Sequence, residues 1–349
     1  MKFLVSCLLL SASLFSSCKG ENPKAQHNTE PIAIGGDTVS SIDKSIWVIY
    51  QDKKNNYWFG SNGKGVYRYD GKTIINFNTT HGLSSDQIRG IQEDTHGNIF
   101  FDTPSGVTKF DGTSLTLLKA IRSNTNDWKS FPSDLWFKGN GNTTGAFRYD
   151  GQNLYELEFP LFNPKAPREE HAVYTIYKDQ TGAIWFGTLA AGVCRFNGTS
   201  FQWLYEKELG VLADGRVPAV RNIIEDKDGN FWFSNILHKY KIKQEHQPNS
   251  DSIQYSKLNG IELLERQAKV ELPYFTSAVK DQTNLWMSSY NEGVWKYNGN
   301  TLNTFKIKEG HTNVLIISIY KDNSGTLWLA TDNNGVYKFN GTQFEKVVF

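Results

Sequence analysis

The sequence predicts an all-β protein, a single seven-bladed β-propeller of four-stranded antiparallel blades. Two 21-residue segments, 178–198 and 321–341, are identical at 10 positions. Seven short strands, each centred on a large aromatic side chain, recur along the chain at spacings that average 45 residues. That period is typical of a four-stranded propeller blade. No stretch of useful length shows the helical period of apolar residues, which excludes a helical fold class.

Each repeated unit begins with an apolar strand, strand A, that ends at an acidic turn. The turns around Asp179 and Asp322 read KDQTGA and KDNSGT. Aspartate bonds the local backbone and glycine permits a positive φ, so both residues suit a tight hairpin. Strand B then carries the aromatic position, which in the seven units is Trp58, Phe100, Trp136, Trp185, Trp232, Trp286 and Trp328.

Strand C follows and ends in Asp-Gly or Asn-Gly, a strong hairpin signal, and strand D completes the unit. Unit 3 departs from this pattern because Pro132 stands where other units have the acidic turn, and unit 5 lacks the glycines of strand C. The blades are expected at about 38–83, 84–127, 128–171, 172–217, 218–272, 273–313 and 314–349.

Closure of the ring is the least defined part of this expectation. Two separate domains or a solenoid are the alternatives, but seven units without polar capping repeats favour a closed ring. No unit takes strands from both ends of the chain. The segment PIAIG near Ile32 is therefore expected to add a strand to blade 7.

The ordered pattern D-x-x-G-x-x-W followed by G-V-Y-R-F-D-G resembles the two-component regulator propeller repeat. The resemblance covers roughly residues 38–349. In that family such propellers form the periplasmic sensor half of membrane histidine kinases. The sequence contains no kinase, membrane helix or β-sandwich segment. The resemblance therefore implies the recognition part alone, without a phosphorelay of its own.

The first 17 residues are predicted to be a signal peptide. Lys2 precedes an apolar run that ends at Phe15, and two serines precede Cys18, as in export signals. This start resembles a bacterial lipoprotein signal, in which Cys18 becomes the lipidated first residue, and an ordinary secretory signal is the alternative. Residues 18–37 are predicted to be a polar tether. The protein is thus expected in the periplasm or at the cell surface, held to the outer membrane by a lipid anchor only.

Charge and motif content exclude several classes of function. The 37 basic and 36 acidic residues leave a net charge of +1, without the basic footprint of a nucleic-acid binder. None of the seven histidines lies at metal-ligand spacing, so neither a metal nor another cofactor is expected. Cys194 on strand C is expected to be a packed thiol.

Four candidate ligand-binding residues share one place in their units, five residues before the turn aspartate. They are Trp47, Arg89, Tyr174 and Arg221. Aromatic platforms and charged donors at one mouth of a propeller suit sugars or acidic groups. Packing between blades is the alternative interpretation of the same residues.

Asp102 and Lys138 are the other two candidates. They stand two residues after the strand-B aromatic, where the other units have small residues. They are expected to lie close together, either as an interblade salt bridge or as ligand contacts. The long connections at 119–132, 159–171, 205–217 and 244–272 are expected to be binding loops.

These observations predict a ligand-binding or sensor-type module. Its ligand is expected to be a glycan fragment, another small molecule or a partner protein. An exported propeller lyase or hydrolase that acts on polysaccharide is the alternative, although no set of catalytic residues is evident in the sequence. A purely structural scaffold is the third hypothesis.

Overall fold

Seven sheets arranged as the blades of a β-propeller confirm the predicted fold class. The computed structural model describes residues 35–122, 128–138, 144–160, 162–163, 166–206, 209, 219–243, 251–261 and 274–349. The predicted signal peptide, Cys18 and most of the predicted tether lie outside these residues. Within the described part of the chain, no helix is long and apolar enough to cross a membrane.

The strands follow one another in blade order. Blade 1 contains β1 (Asp37–Val39), β2 (Ile46–Gln51), β3 (Tyr57–Ser61), β4 (Val66–Tyr69) and β5 (Ile74–Phe77). Blade 2 contains β6 (Gly90–Glu93), β7 (Ile99–Thr103), β8 (Gly106–Phe110) and β9 (Leu115–Leu117). Blade 3 contains β10 (Ala120–Arg122), β11 (Leu135–Lys138), β12 (Gly145–Tyr149) and β13 (Leu154–Glu158).

The other blades follow the same order. Blade 4 contains β14 (Val173–Lys178), β15 (Ile184–Thr188), β16 (Val193–Phe196) and β17 (Phe201–Leu204). Blade 5 contains β18 (Ile223–Glu225), β19 (Phe231–Phe233), β20 (His238–Ile242) and β21 (Tyr255–Asn259). Blade 6 contains β22 (Ser277–Lys280), β23 (Leu285–Ser289), β24 (Gly293–Tyr297) and β25 (Leu302–Phe305). The hairpin β26 (Lys308–Glu309) and β27 (Thr312–Asn313) precedes blade 7, which contains β28 (Leu315–Lys321), β29 (Leu327–Asp332), β30 (Val336–Phe339) and β31 (Phe344–Lys346). Two short 3₁₀ turns lie at Thr79–His81 and Arg168–His171.

The turn aspartate ties each hairpin to the aromatic side chain of strand B. In blade 4, Asp179 Oδ1 accepts the backbone N–H groups of Thr181 and Ala183, and Oδ2 accepts Nε1 of Trp185 at 2.8 Å. The spacing D-x-x-G-x-x-W is what lets one carboxylate reach both the turn and the indole. The same bond joins Asp52 to Trp58, Asp226 to Trp232, Asp281 to Trp286 and Asp322 to Trp328.

The hydrophobic core lies between adjacent blades rather than inside any one of them. Trp58 of blade 1 packs with Phe101 and Phe110 of blade 2, with ring centroids 5.5 Å apart in both pairs. Trp185 of blade 4 packs in the same way on Phe231 of blade 5 at 4.6 Å. Each blade therefore depends on its neighbours for burial of its aromatic face.

The predicted four-stranded antiparallel meander is wrong for blade 3. Its strand order is β10-β13-β12-β11, and β10 pairs in parallel with β13 at the outer edge. No strand of the described residues lies inside β11. Pro132, which lacks an N–H donor, and the turn from Phe131 to Asp134 stand where strand A would end. Asp134 instead pairs with the buried Arg148 on β12 at 2.7 Å.

Blade 5 is more complete than the sequence suggests. Its fourth strand, β21, lies inside the segment 244–272 that was expected to be a long connection. The register pairs His238 with Asn259 and Ile242 with Tyr255. The rest of that segment, 244–250 and 262–272, lies outside the described residues.

The segment PIAIG, expected to add a strand to blade 7, lies outside the described residues apart from Gly35. β1 pairs antiparallel with β5 and extends blade 1, whereas blade 7 has four strands. Blades 1 and 7 meet through side chains. Tyr57 Oη donates to Asp322 Oδ2 at 2.8 Å, and the Phe349 ring packs on Phe59 and Tyr69 with centroids 5.2 and 5.1 Å away. Within residues 35–349, the described part of the chain therefore closes the ring by interblade packing and hydrogen bonds, without a strand shared between its two ends.

Candidate functional site

A repeated β-bulge positions the candidate residues of strand A. The pairing of the innermost strand with strand B breaks register between Ile46 and Val48, between Val173 and Thr175, and between Ile316 and Ser318. The extra residues are Trp47, Tyr174 and Ile317. A bulge takes a residue out of the ladder and turns its side chain in a new direction. These bulges lie beside the B–C loops and therefore at the mouth that the sequence analysis expected.

Arg89 and Arg221 stand at equivalent positions of blades 2 and 5; Arg89 directly precedes β6, and Arg221 lies two residues before β18. The N–H of Arg89 donates to the carbonyl of Asp102 at 2.7 Å. The N–H of Arg221 donates to Oγ of Ser234 at 2.9 Å. Four of the six candidate residues therefore lie at one mouth of the propeller.

The four side chains form two cation–π pairs across blade boundaries. The guanidinium carbon of Arg89 lies 5.3 Å from the ring centroid of Trp47. That of Arg221 lies 5.2 Å from the ring of Tyr174. Arg221 is exposed and the other three are partly buried. Interblade stacking, the alternative interpretation, is present in this structure, while a role in ligand binding stays a prediction.

Asp102 and Lys138 lie close together, as predicted, but not as a salt bridge. Oδ2 of Asp102 accepts the backbone N–H of Lys138 at 3.1 Å. The Lys138 ammonium turns away and donates to the carbonyl of Arg89 at 3.1 Å. Gln92, which the sequence analysis did not select, donates to the carbonyl of Trp136 at 2.7 Å.

These contacts follow from the missing inner strand of blade 3. An unpaired strand edge leaves N–H and C=O groups that need partners. Asp102 and Gln92 of blade 2 supply an acceptor and a donor to the inner edge of β11. Asp102 has room for this because it stands opposite Gly90 in the register. Pro132 in unit 3 is the sequence signal that could have identified Gln92, since it marks the strand that β11 lacks.

Burial perturbs the charged groups around this edge. Desolvation raises the pKa of Asp102 to about 6, although the charges of Lys138 and Arg89 act in the opposite direction. Desolvation lowers the pKa of the Lys138 ammonium, which the Asp102 charge partly offsets and the Arg89 and Arg221 charges reinforce. Desolvation also lowers the pKa of Arg89, again with a contribution from Arg221. Three cations from blades 2, 3 and 5 therefore lie within one another's field.

Two donors at this mouth are buried without a partner, namely Nε1 of Trp47 and Nε of Arg89. Buried polar groups are nearly always hydrogen-bonded, because an unmade bond costs free energy. The terminal Nη2 of Arg89 does have a partner, Oε1 of Gln87 at 2.8 Å. The two unpaired donors therefore belong to the side chains of Arg89 and Trp47, which lie against each other.

His171, His81 and Cys194 are each buried within the fold. Nε2 of His171 accepts the N–H of Asn163 at 2.9 Å, and burial lowers its pKa. His81 contributes to the cap of the first 3₁₀ turn. Cys194 is fully buried, and desolvation raises the pKa of its thiol well above the usual value. Among the described residues, no group of three or more His, Cys, Asp or Glu side chains is arranged to hold a metal ion.

The predicted binding loops are described only in part. Residues 123–127, 161, 164–165, 207–208, 210–218, 244–250 and 262–273 lie outside the described residues. The described end of the second loop contains the 3₁₀ turn at Arg168–His171. The site defined by distances consists of the bulge residues, the two arginines, Asp102 and Lys138.

Two segments of the chain, residues 40–63 and 310–333, match the two component regulator propeller family. They cover the first hairpin of blade 1 and that of blade 7, which include the Asp–Trp pairs described above. The chain therefore carries two component regulator propeller repeats, as the sequence pattern predicted.

Similar proteins include a kinase and two solved propellers. Histidine kinase P4 of Formosa agariphila is 25% identical over 343 residues, which cover 85% of this chain and 21% of the kinase. The extracellular domain of BT4673 from B. thetaiotaomicron, assigned as a hybrid two component system, superposes with a TM-score of 0.58 at 16% identity over 88% of this chain and 40% of that one. Virginiamycin B lyase from Staphylococcus aureus gives a TM-score of 0.60 at 14% identity over 86% of this chain and 97% of that one.

The solved structures in this comparison show the fold. The chain spans about a fifth of the kinase and 40% of the BT4673 domain. At 14 to 16% identity, the solved structures are similar in fold alone. The propeller resembles sensor domains of two-component systems, and the same fold also occurs in a lyase.

Proposed function

We propose that this propeller is a ligand-binding module of the sensor type, which holds a glycan fragment or another small molecule at the mouth that carries the bulges. One observation carries the proposal: the same bulged position presents Trp47 and Tyr174, and an arginine from the next blade covers each ring. Flat rings beside guanidinium groups suit the apolar face and the hydroxyl groups of a sugar. The kinase relative and the BT4673 domain support the sensor type of role.

Replacing Tyr174 by alanine is expected to weaken ligand binding by about tenfold or more, because an aromatic platform at the centre of a site carries much of the binding energy. A glycan array followed by calorimetry on the retained sugar measures this loss. Tyr297→Ala is the matched control. Tyr297 is also a partly buried tyrosine, but it lies at the opposite end of its blade, where its hydroxyl donates to Gly299.

Unchanged binding in both Tyr174→Ala and Trp47→Ala would contradict this location of the site. A partner protein is the other ligand class considered, and a wild-type chain that retains no sugar but binds a protein through these residues would favour it. Turnover of the retained sugar into shorter or unsaturated products would favour the lyase or hydrolase alternative. The paired rings and arginines favour the binding function of the two, and His171 and His81 have structural partners.

The proposal also includes export and attachment to a membrane by lipid at Cys18. Replacing Cys18 by serine is expected to move the protein from the membrane fraction to the soluble fraction and to abolish labelling by a fatty-acid analogue. Cys7→Ser is the control, since Cys7 lies in the predicted signal peptide and its loss leaves the acceptor thiol in place. A wild-type protein that is soluble and unlabelled would favour an ordinary secretory signal.

A further inference from the structure

The missing inner strand of blade 3 places charges from several blades near one another. Arg89 comes from blade 2, Lys138 from blade 3 and Arg221 from blade 5. The Lys138 ammonium reaches back to the carbonyl of Arg89 at 3.1 Å. Each of the two arginines lowers the pKa of Lys138, so their fields overlap across the mouth.

Among the described residues, the charges that act on Lys138 come from two cations, Arg89 and Arg221, and from one carboxylate, Asp102. Asp102 is the carboxylate whose field acts on both Arg89 and Lys138. It is 3% exposed, and its Oδ2 already accepts the Lys138 N–H. Its ionised form is itself disfavoured by burial, which raises its pKa to about 6. One buried carboxylate therefore faces three cations.

The two unpaired donors point to the kind of group that would balance this charge. Nε1 of Trp47 and Nε of Arg89 belong to side chains in direct contact, with the guanidinium 5.3 Å from the ring centroid. Each is an N–H donor, so each can be satisfied only by an acceptor.

We propose that the ligand of this mouth carries an oxyanion, a carboxylate or a sulfate group, which Arg89 and Trp47 bind with Lys138 close behind. This inference rests on the proposed function and specifies its ligand as an acidic sugar or a similar small acid. A planar guanidinium forms paired hydrogen bonds with such groups, and charge-assisted bonds are the strong ones. A neutral sugar would leave the excess positive charge uncompensated.

Pairs of probes that differ only in charge test the inference. An oligogalacturonate and its methyl ester form one pair, and a sulfated galactan tetrasaccharide and its desulfated form provide the second. The wild-type chain is expected to bind the acidic member of at least one pair about tenfold or more tightly than the neutral member. The affinity is expected to fall as salt is raised, because salt screens the charges. The two pairs distinguish a carboxylate from a sulfate.

Arg89→Gln is expected to remove most of this preference, with about a tenfold loss for the acidic probe and little change for the neutral one. Arg195→Gln is the matched control, since Arg195 also lies over an indole, that of Trp185 at 5.8 Å, but on strand C of blade 4. Thermal unfolding of each variant shows that a loss of binding is not a loss of fold.

The results of these experiments distinguish a failure of the oxyanion inference from a failure of the proposed binding function. Equal binding of acidic and neutral probes, with a loss in Tyr174→Ala, would overturn the oxyanion and leave the binding function intact. Acidic binding that survives Arg89→Gln would overturn the assignment to this mouth. No binding of any acidic or neutral probe would count against both.

Discussion

Replacing Trp128 by alanine is expected to lower the free energy of unfolding by about 3–5 kcal/mol, the range for a large aromatic side chain removed from a packed core. Trp128 is 7% exposed, and Nε1 donates to the carbonyl of Glu158 at 2.9 Å. Its ring lies with centroids 4.8 to 5.8 Å from those of Trp136, Phe159, Phe186, Phe196 and Phe201. Alanine would leave a cavity between blades 3 and 4 that these rings cannot close without moving.

The expected loss is large because Trp128 lies at the centre of the aromatic cluster that joins blades 3 and 4. The described part of blade 3 lacks an inner strand, and Nε1 of Trp136 is buried without the aspartate that the other tryptophans of strand B bond. Denaturant unfolding followed by circular dichroism measures the change. Trp47→Ala is the control, since Trp47 is partly buried at the mouth and its loss is expected to cost about 1–2 kcal/mol. Equal losses in the two variants would contradict this account of blade 3.

The regular blades could be predicted from the sequence because each element has a local cause. Asp179 ends strand A and bonds both its turn and Trp185 six residues later. The repeated spacing of these residues therefore corresponds directly to hydrogen bonds in the structure. Where the turn has a glycine, that residue accepts a positive φ, as Gly182 does at 86°. Because the same local signals recur along the chain, the sequence alone predicts the fold class.

The strands that depart from the regular blade pattern pair with strands that are distant in sequence. β10 pairs with β13 because the connection from blade 2 runs along the outer edge, and nothing within residues 120–122 indicates that choice. β1 extends the outer edge of blade 1 in a similar way, since its partner β5 begins 35 residues after β1 ends.

The sequence identified the residues of the candidate site but did not predict the hydrogen bonds that they form. Asp102 and Lys138 were identified as charges where other units have small side chains. The sequence showed two opposite charges and therefore favoured a salt bridge. The structure shows that Asp102 instead accepts a backbone N–H at the open edge of β11, for which Pro132 was the one signal in the sequence. The bulge at Trp47 and Tyr174 was likewise visible only as a shared distance from the turn aspartate.

Removal of the turn aspartate is the second substitution expected to lower the free energy of unfolding strongly. Asp179→Ala is expected to cost about 2–4 kcal/mol, because two buried donors, Nε1 of Trp185 and the N–H of Ala183, would lose their acceptor. Asp70→Ala is the matched control. Asp70 also accepts two backbone N–H groups of its turn, but it is fully exposed and water can replace it, so a much smaller loss is expected. Thermal and denaturant unfolding at pH 7 compare the two variants.

The Asp179 carboxylate also makes the difference in unfolding free energy between the wild type and Asp179→Ala depend on pH. Burial acts to raise the pKa of Asp179, but hydrogen bonds from Thr181 and Trp185 and the Arg195 charge outweigh it and hold the pKa below the usual value. A carboxyl group with a lowered pKa in the folded state contributes stability that is fully present above the unfolded pKa of about 4 and is lost as the pH falls through the folded value. The gap in unfolding free energy between wild type and variant is therefore expected to be constant from pH 7 to about pH 5 and to shrink below about pH 4. A gap that widens in acid would mean that the protonated side chain, not the carboxylate, holds the indole.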